Sequence, residues 1–201
     1  GQLVSPGSTT TIVLTEQLQS VDIKNQLVKV QPLWWMPAEG SNVEAPDFSM
    51  LNNGTPDADG FVSFSLDTYN EGNLILAGYD AKGEIIWSWH LWFTQEPDMM
   101  RSNSFVVMDR NLGATHAPSG TTPPTAGSDD LKNTYGLFYQ WGRKDPFPAE
   151  LSKTVYKFDG SGYVSSTSLF VTEADQSDKT VENAVKNPMT FHLASSPQSK
   201  D

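Results

Sequence analysis

The chain has 201 residues and no cysteine, and its 24 acidic and 13 basic side chains give a formal net charge of −11. This charge disfavours nucleic acid and anionic membranes as partners, and the lack of thiols excludes disulfides, thiolate metal sites and cysteine nucleophiles. No apolar run approaches the roughly 20 residues of a membrane-spanning helix, so no transmembrane segment is predicted. The length suits two modules, and we predict a boundary near Pro97.

The first third of the chain is predicted to form short strands separated by turns. β-branched residues predict strands over residues 9–15 and 27–30, on either side of a polar linker at 17–26. An apolar segment at 34–36 then stops at a proline. The stretch from 37 to 59 is rich in Pro, Gly, Asn and acids, so it is predicted to be a surface excursion.

Three of the six tryptophans fall within six consecutive positions, in the segment 83–94. Side chains alternate between the faces of an extended strand, so this segment predicts a strand with one apolar and one mixed face. The apolar face would carry Trp87, Trp89, Leu91 and Phe93. The mixed face would carry Ile86, Ser88, His90 and Trp92. Such a strand is typical of the centre of a sandwich with a core on one side.

Two further strands support an all-β first half. Residues 61–66 alternate in polarity, and residues 74–79 lead through the turn-forming sequence Asp-Ala-Lys-Gly into the tryptophan-rich strand, which predicts a hairpin. Several short strands without helical periodicity favour an immunoglobulin-like or transthyretin-like β-sandwich over residues 1–98.

The sequence pattern of residues 99–201 differs from that of the first half, and we predict an α+β module there. A strand is predicted at 105–108, followed by an irregular Pro- and Thr-rich segment at 117–127. Ser128 caps a predicted helix whose apolar residues Leu131, Tyr135 and Phe138 share one face, with Gly142 placed to end it. A shorter helix is predicted over 180–186, stopped by the Asn-Pro that follows.

Three segments of the sequence resemble a known family. They are GEIIWSWHLW (83–92), VMDRNLGA (107–114) and YGLFYQWGRKDPF (135–147). In order and spacing they are similar to fimbrillin-like cell-surface proteins of gut-associated Gram-negative anaerobes. In those proteins a β-sandwich precedes a FISUMP, or major paralogous, domain, which is related to the C-type lectin-like fold. Family members continue into a stretch with Cys-Pro and Gly-Trp signatures that this sequence lacks, so an incomplete second module is expected.

The resemblance implies a non-catalytic function. It predicts a non-catalytic protein anchored at the outer membrane or lying in an extracellular fimbrium, as a pilus component or an adhesin. The partners expected from it are other pilus subunits or proteins of a host surface. The alternative is a carbohydrate-binding module that recognises glycans through exposed aromatic side chains.

Neither a metal nor a cofactor is predicted. The sequence Asp57-Ala58-Asp59-Gly60 has alternating carboxylates like the start of a calcium loop, but the further ligands are missing at the required spacing, which favours a plain turn. His90 has no ligand-spaced partner in His116 or His192, so we predict a hydrogen-bonded structural histidine.

Two polar clusters could be read as acid and base pairs. They are Asp109-Arg110-Asn111 and Arg143-Lys144-Asp145. Because they border apolar segments, we interpret them as structural, and we predict that Arg110 or Arg143 bonds internally to Asp109 or Asp145.

Three tryptophans are the candidate ligand-binding residues: Trp34, Trp35 and Trp141. Sugars stack on exposed aromatic faces, whereas core packing is the alternative role for the same side chains.

Overall fold

The structure, a computed structural model, describes residues 2–4, 10–13, 24–41, 48–66, 70–118, 122–148, 155–166, 171–173 and 180–192. Over these residues the protein is mainly β, which confirms the predicted class. Most of the predicted polar linker, at 17–23, lies outside the described residues. So do residues 119–121 of the predicted irregular segment.

Short strands make up most of the described elements, and two short helices accompany them. The strands are β1 (Gln2–Val4), β2 (Thr10–Val13), β3 (Lys29–Pro37), β4 (Phe48–Met50), β5 (Phe61–Leu66), β6 (Gly72–Tyr79), β7 (Ile85–Phe93), β8 (Met99–Ser102), β9 (Phe105–Met108), β10 (Leu137–Phe138), β11 (Phe147–Pro148), β12 (Val155–Phe158), β13 (Tyr163–Ser166), β14 (Val171–Glu173) and β15 (Thr190–His192). The α-helices are α1 (Asp129–Thr134) and α2 (Val181–Lys186), and 3₁₀ turns lie at Lys24–Gln26 and Leu51–Gly54.

A six-stranded sheet in the order β1-β7-β6-β3-β12-β13 organises the molecule. β1 pairs with the end of β7 in parallel, and the other neighbours are antiparallel. A three-stranded sheet has the order β2-β5-β4. Three two-stranded sheets complete the described part: β8-β9, β10-β11 and β14-β15.

The tryptophan-rich segment is strand β7, as predicted. It forms a hairpin with β6 through the turn at residues 80–84, where the Asp80 carboxylate accepts hydrogen bonds from two backbone amides and Gly83 has a φ of +82°. Gly83 tolerates this left-handed conformation because it has no Cβ. The register shifts by one residue near the turn, so that Tyr79 pairs with Ile85 and Gly78 with Trp87.

The main core, which we call cluster 1, lies between the six-stranded and three-stranded sheets. Its buried members are Val4, Leu27, Val30, Trp35, Val62, Phe64, Leu74, Leu76, Trp89, Leu91 and Phe93. Trp35 and Phe93 make an edge-to-face contact with ring centroids 5.4 Å apart. Full burial of an apolar side chain of this kind contributes roughly 1.5–3 kcal/mol, so cluster 1 is the principal source of stability in the first half.

A second core, cluster 2, lies on the opposite face of the same sheet. It contains Trp34, Met36, Ile75, Leu137 and Val155. A β-bulge at Leu33, where the register against β6 shifts between Pro32 and Trp34, places Trp35 on the same face as Val30, in cluster 1. Consecutive side chains of a strand point to opposite faces, so Trp34 and Trp35 enter different cores.

The second half of the chain contributes directly to the six-stranded sheet. β12 pairs with β3 at Tyr156↔Trp35 and Lys157↔Trp34, and β13 follows it as the next strand. Leu137 and Val155, also from the second half, help to build cluster 2. The division into modules at residues 98 and 99 stays a prediction, and both sides of it share one sheet.

Several predicted elements are confirmed. The predicted strands at 9–15, 61–66 and 105–108 correspond to β2, β5 and β9. The helix predicted over 180–186 is α2, capped by the Thr180 hydroxyl, which accepts a hydrogen bond from the amide of Asn183. The predicted strand at 27–30 and the apolar segment at 34–36 merge into the single strand β3.

Two predictions were wrong in extent. The helix predicted from Ser128 to Gly142 has the predicted cap, but it ends at Thr134. Gly136 then adopts a left-handed φ of +73°, and the amide of Leu137 donates to the carbonyl of Leu112, so the chain turns into β10. The stretch from 37 to 59 was predicted to be a surface excursion, yet it contains β4, because residues 48–50 find a partner in β5.

Candidate functional site

The mixed face of β7 is covered by the second half of the chain. Helix α2 packs against β7. The indole Nε1 of Trp92 donates to the carbonyl of Ala114 over 3.1 Å. Ser88, at 1% exposed, lies on the same face and bonds to residues in the segment before β11. The polar groups that make this face mixed therefore serve contacts between distant parts of the chain.

Ser88, Lys144 and Asp145 form the most concentrated polar group, here called the β7 joint. The Ser88 hydroxyl lies 2.7 Å from both carboxylate oxygens of Asp145. The Lys144 ammonium donates to Asp145 Oδ1 over 2.7 Å, to the Ser88 carbonyl over 2.7 Å, and to the Ser88 hydroxyl. It also lies 4.9 Å from the centre of the Trp87 ring. Burial lowers the pKa of Lys144, and the charge of Asp145 opposes that shift.

A serine beside a lysine and a carboxylate is an arrangement that can activate a nucleophile. In the β7 joint, however, Ser88 is 1% and Asp145 2% exposed. A nucleophile must meet the reacting atom of a substrate directly, and these side chains are enclosed by protein. As placed, the group holds residues 144 and 145 against β7.

His90 forms the second polar group on this face. Its Nε2 lies 2.9 Å from Asn73 Oδ1, and the Asn73 amide nitrogen donates to the carbonyl of Gly113 over 2.8 Å. The predicted hydrogen-bonded structural histidine is confirmed. Burial lowers the pKa of His90 to about 3, and the positive charge of Lys144 adds to the effect.

The low pKa of His90 predicts acid sensitivity. Between the ordinary pKa of 6.5 and about 3, the unfolded chain binds a proton at this imidazole and the folded chain does not. The stability contributed by neutral His90 is therefore complete above about pH 6.5 and falls with pH by up to about 1.4 kcal/mol per unit.

Urea unfolding of wild type and His90→Gln between pH 7 and 4 measures this contribution. Glutamine does not titrate, so the gap in unfolding free energy between the two proteins should shrink as pH falls. A gap that stays constant over this range would contradict the assignment.

Asp109 and Arg110 form the predicted internal ion pair. Arg110 Nε and Nη2 donate to the two oxygens of Asp109 over 2.8 and 2.9 Å. The hydrogen bond from Arg110 is the largest cause of a lowered pKa at Asp109. Arg110 Nη1 also donates to the Thr115 carbonyl over 3.1 Å, which ties the loop after β9 together.

Arg143 does not pair with either aspartate. Its guanidinium donates to the carbonyls of Thr190 and Asn187, and it lies 4.9 Å from the centre of the Phe147 ring. Lys144, which the sequence analysis did not single out as a partner, takes the place beside Asp145. No local signal reveals this, because the decisive neighbour, Ser88, is 56 residues away.

The sequence at residues 57–60 is a turn, as predicted. The Asp57 carboxylate accepts hydrogen bonds from the amides of Asp59 and Phe61, and the Gly60 amide donates to the Asp57 carbonyl. Among the described residues, no group of three or more His, Asp or Glu side chains is arranged to hold a metal ion.

Comparison with protein-family models, with curated proteins and with solved structures found no match. The resemblance to fimbrillin-like proteins is therefore an expectation that rests on the three sequence segments. Within the described part of the chain, no helix is both long and apolar enough to cross a membrane.

The three tryptophans predicted to bind ligands have different environments. Trp34 and Trp35 are each 1% exposed, in clusters 2 and 1 respectively, so neither ring face is open to a sugar. Trp141 is fully exposed. Of the three, only Trp141 is therefore positioned to stack against a ligand, and binding there stays a prediction.

Proposed function

We propose that the chain is a non-catalytic structural or adhesion protein of the cell surface, a fimbrial component or an adhesin. In this proposal the first half is an immunoglobulin-like or transthyretin-like sandwich and the second an α+β, lectin-like module. The protein acts through contacts with other proteins. The observation that carries the proposal is an apolar hairpin, formed by β8 and β9, that lies exposed on both faces.

The β8-β9 hairpin pairs Met99 with Met108 and Ser102 with Phe105, so the strands are in full register. Met99 is 65%, Phe105 72% and Val106 56% exposed. Alternation places Phe105 on one face and Val106 on the other. Both faces are thus apolar and open, and neither strand has another strand partner among the described residues.

Such a hairpin favours association with a further strand or surface. A two-stranded hairpin is marginally stable alone in water, and its open edges are templates for strand addition. Of fifteen large apolar side chains exposed among the described residues, ten lie between residues 99 and 141. Five of these ten side chains belong to the β8-β9 hairpin, and a contiguous apolar patch of this kind is characteristic of an interaction surface: Met99, Met100, Phe105, Val106 and Val107.

Charge favours a neighbouring subunit as the occupant. The charged side chains between residues 99 and 141 cancel, since they are Arg101, Arg110 and Lys132 against Asp109, Asp129 and Asp130. The whole chain carries −11. Two acidic copies therefore repel each other least where these neutral segments meet, and paired strands add backbone hydrogen bonds.

The polar clusters support a non-catalytic role. The β7 joint, the His90–Asn73 pair and the Asp109–Arg110 pair each bond internally. Each connects segments of the chain that are distant in sequence or fixes a loop, which is the use expected of a stable scaffold.

The hairpin predicts self-association that depends on its apolar side chains. We expect wild-type protein to form larger species as its concentration rises in size-exclusion chromatography with light scattering. The double variant Phe105→Thr/Val106→Thr keeps β-branched residues in the strand while removing apolar surface. It should weaken association at least about tenfold, equivalent to roughly 1.4 kcal/mol.

The matched control is Val181→Thr, which alters an equally exposed valine, 66% open, at the start of α2. This variant should associate like wild type. A wild-type protein that stays strictly monomeric up to millimolar concentration, even with an added peptide of the β9 sequence, would refute assembly through the hairpin.

A second candidate function is carbohydrate binding through exposed aromatics. Trp141 is fully exposed, and Phe138 and Tyr139, close to it in sequence, are 61% and 46% exposed. Exposed indole faces stack on the apolar faces of sugars. This observation favours a glycan as ligand, in place of or in addition to a protein.

A further inference from the structure

A groove of about 400 Å³ lies between β3, the turn Leu51–Gly54 and the β12-β13 hairpin. We call it the Tyr163 groove. Its volume lies within the range of small-ligand pockets. It shares no residue with the β8-β9 hairpin or with Trp141, so an inference about it stands independently of the function proposed above.

Two aromatic rings line one side of this groove. Phe158 and Tyr163 are packed edge to face, with centroids 5.5 Å apart and an angle of 62° between the rings. Each ring is half-buried, so part of its surface is open and its position is fixed by its partner. Fixed, partly exposed rings are the side chains that contact the C–H faces of sugars at low entropic cost.

The Tyr163 hydroxyl is buried and has no hydrogen-bond partner among the described residues. Burial also raises the pKa of Tyr163, which keeps the group a neutral donor and acceptor. The hydroxyl itself is closed to solvent, and Tyr163 packs against cluster 1, so a ligand in the groove meets the ring of Tyr163 and not its hydroxyl.

Three polar side chains on the other walls are also available to a ligand. Lys29, Gln31 and Asn53 line the groove, and no side-chain hydrogen bond or ion pair joins any of them to another described residue. An amide side chain offers both donors and an acceptor, which matches the mixed donor and acceptor character of sugar hydroxyls.

The backbone that presents Asn53 is held in an unusual conformation. Asn52 and Asn53 have φ values of +49° and +52°, and Gly54 follows at +74°. A Cβ at Gly54 would lie 1.9 Å from the carbonyl oxygen of Val30, so the turn is pressed against β3. Asparagine adopts this left-handed conformation more readily than other residues with a side chain, so the turn fixes where Asn53 is presented at the groove.

We infer that the Tyr163 groove binds a neutral saccharide. The rings of Phe158 and Tyr163 contact its C–H face, and the side-chain amides of Gln31 and Asn53 bond to its hydroxyl groups. Among the described residues that line the groove, Lys29 is the one charged side chain, while the protein as a whole carries −11 and repels anionic glycans.

Two substitutions separate binding from folding. Gln31→Leu removes a ligand-bonding amide at a half-buried position outside both cores, so stability should be little changed while affinity falls. Asn53→Gly removes the amide and suits the left-handed backbone, so it should also preserve stability while weakening binding. A purely structural role for these side chains predicts no change in affinity.

The experiment uses a printed array of neutral and anionic oligosaccharides, followed by titration calorimetry with the strongest neutral oligosaccharide. Each groove variant should weaken binding at least about fivefold, as expected for one hydrogen bond, and Trp141→Ala should bind like wild type. The inference is overturned by three results: no binding to any neutral oligosaccharide, binding to anionic oligosaccharides alone, or binding that Trp141→Ala removes while the groove variants retain it. Light scattering on the same proteins reports assembly separately.

Discussion

Replacing Trp35 with alanine is expected to lower the free energy of unfolding by about 3–5 kcal/mol, as for other large aromatic side chains removed from a core. Trp35 is 1% exposed and packs edge to face with Phe93 in cluster 1. Its removal leaves a cavity between the two sheets. Urea unfolding followed by circular dichroism measures the effect.

Trp141→Ala is the matched control for this change. The same side chain is removed from a fully exposed position, so the free energy of unfolding should change by less than about 0.5 kcal/mol. Equal effects at the two positions would contradict the assignment of Trp35 to the interior.

Replacing Asp145 with alanine is expected to cost about 3–5 kcal/mol, because a buried ion pair that loses one member leaves the other charge uncompensated. Asp145 is 2% exposed and bonds to both Ser88 and Lys144 in the β7 joint. Loss of the carboxylate removes the group that holds the segment before β11 against β7. Urea unfolding measures the cost.

The double variant Lys144→Met/Asp145→Ala tests the physical cause. Removal of both charges should recover part of the lost stability, since no unpaired ammonium remains at the joint. Glu182→Ala is a surface control, because the Glu182–Lys186 pair is exposed and contributes at most about 1 kcal/mol. If Asp145→Ala costs no more than Glu182→Ala, the joint does not stabilise the fold.

Local sequence pattern predicted a large part of the fold. The alternation in the tryptophan-rich segment gave the correct faces of β7 at Trp89 and Leu91, which lie in cluster 1, and at Ser88, which faces Asp145. The cap at Ser128 was also correct. These features depend on periods of two residues or on contacts within one turn, so a short window of sequence contains their physical cause.

The extent of α1 could not be predicted in the same way. The pattern from Leu131 to Phe138 suits one helical face, yet the chain leaves the helix at Thr134 and pairs Leu137 with Leu112. Helical propensity is a weak preference, and burial of Leu137 in cluster 2 overrides it.

The environments of the neighbouring tryptophans Trp34 and Trp35, both candidate ligand-binding residues, could not be predicted from local sequence either. Two adjacent tryptophan side chains suit either an exposed ligand-binding surface or a core. Consecutive residues of β3 point to opposite faces, and distant segments cover both faces of the six-stranded sheet, so both rings are enclosed. The Tyr163 groove likewise joins β3, residues 51–54 and the β12-β13 hairpin, which are far apart in the sequence.

Residue pattern was sufficient to predict the β class, the strands β5, β6 and β7 with their turns, an internal arginine–aspartate bond with Arg110 and Arg143 left as alternatives, and a hydrogen-bonded His90. Each of these follows from residues that are neighbours along the chain or from the chemistry of one side chain. Three features follow only from contacts between segments far apart in the sequence: β12 joins the six-stranded sheet, Lys144 and Asp145 bond to Ser88, and Trp34 and Trp35 are enclosed while Trp141 is open. Burial and ion pairing depend on which distant segments of the chain come into contact. Those contacts are set by the pairing of strands that are far apart in the sequence.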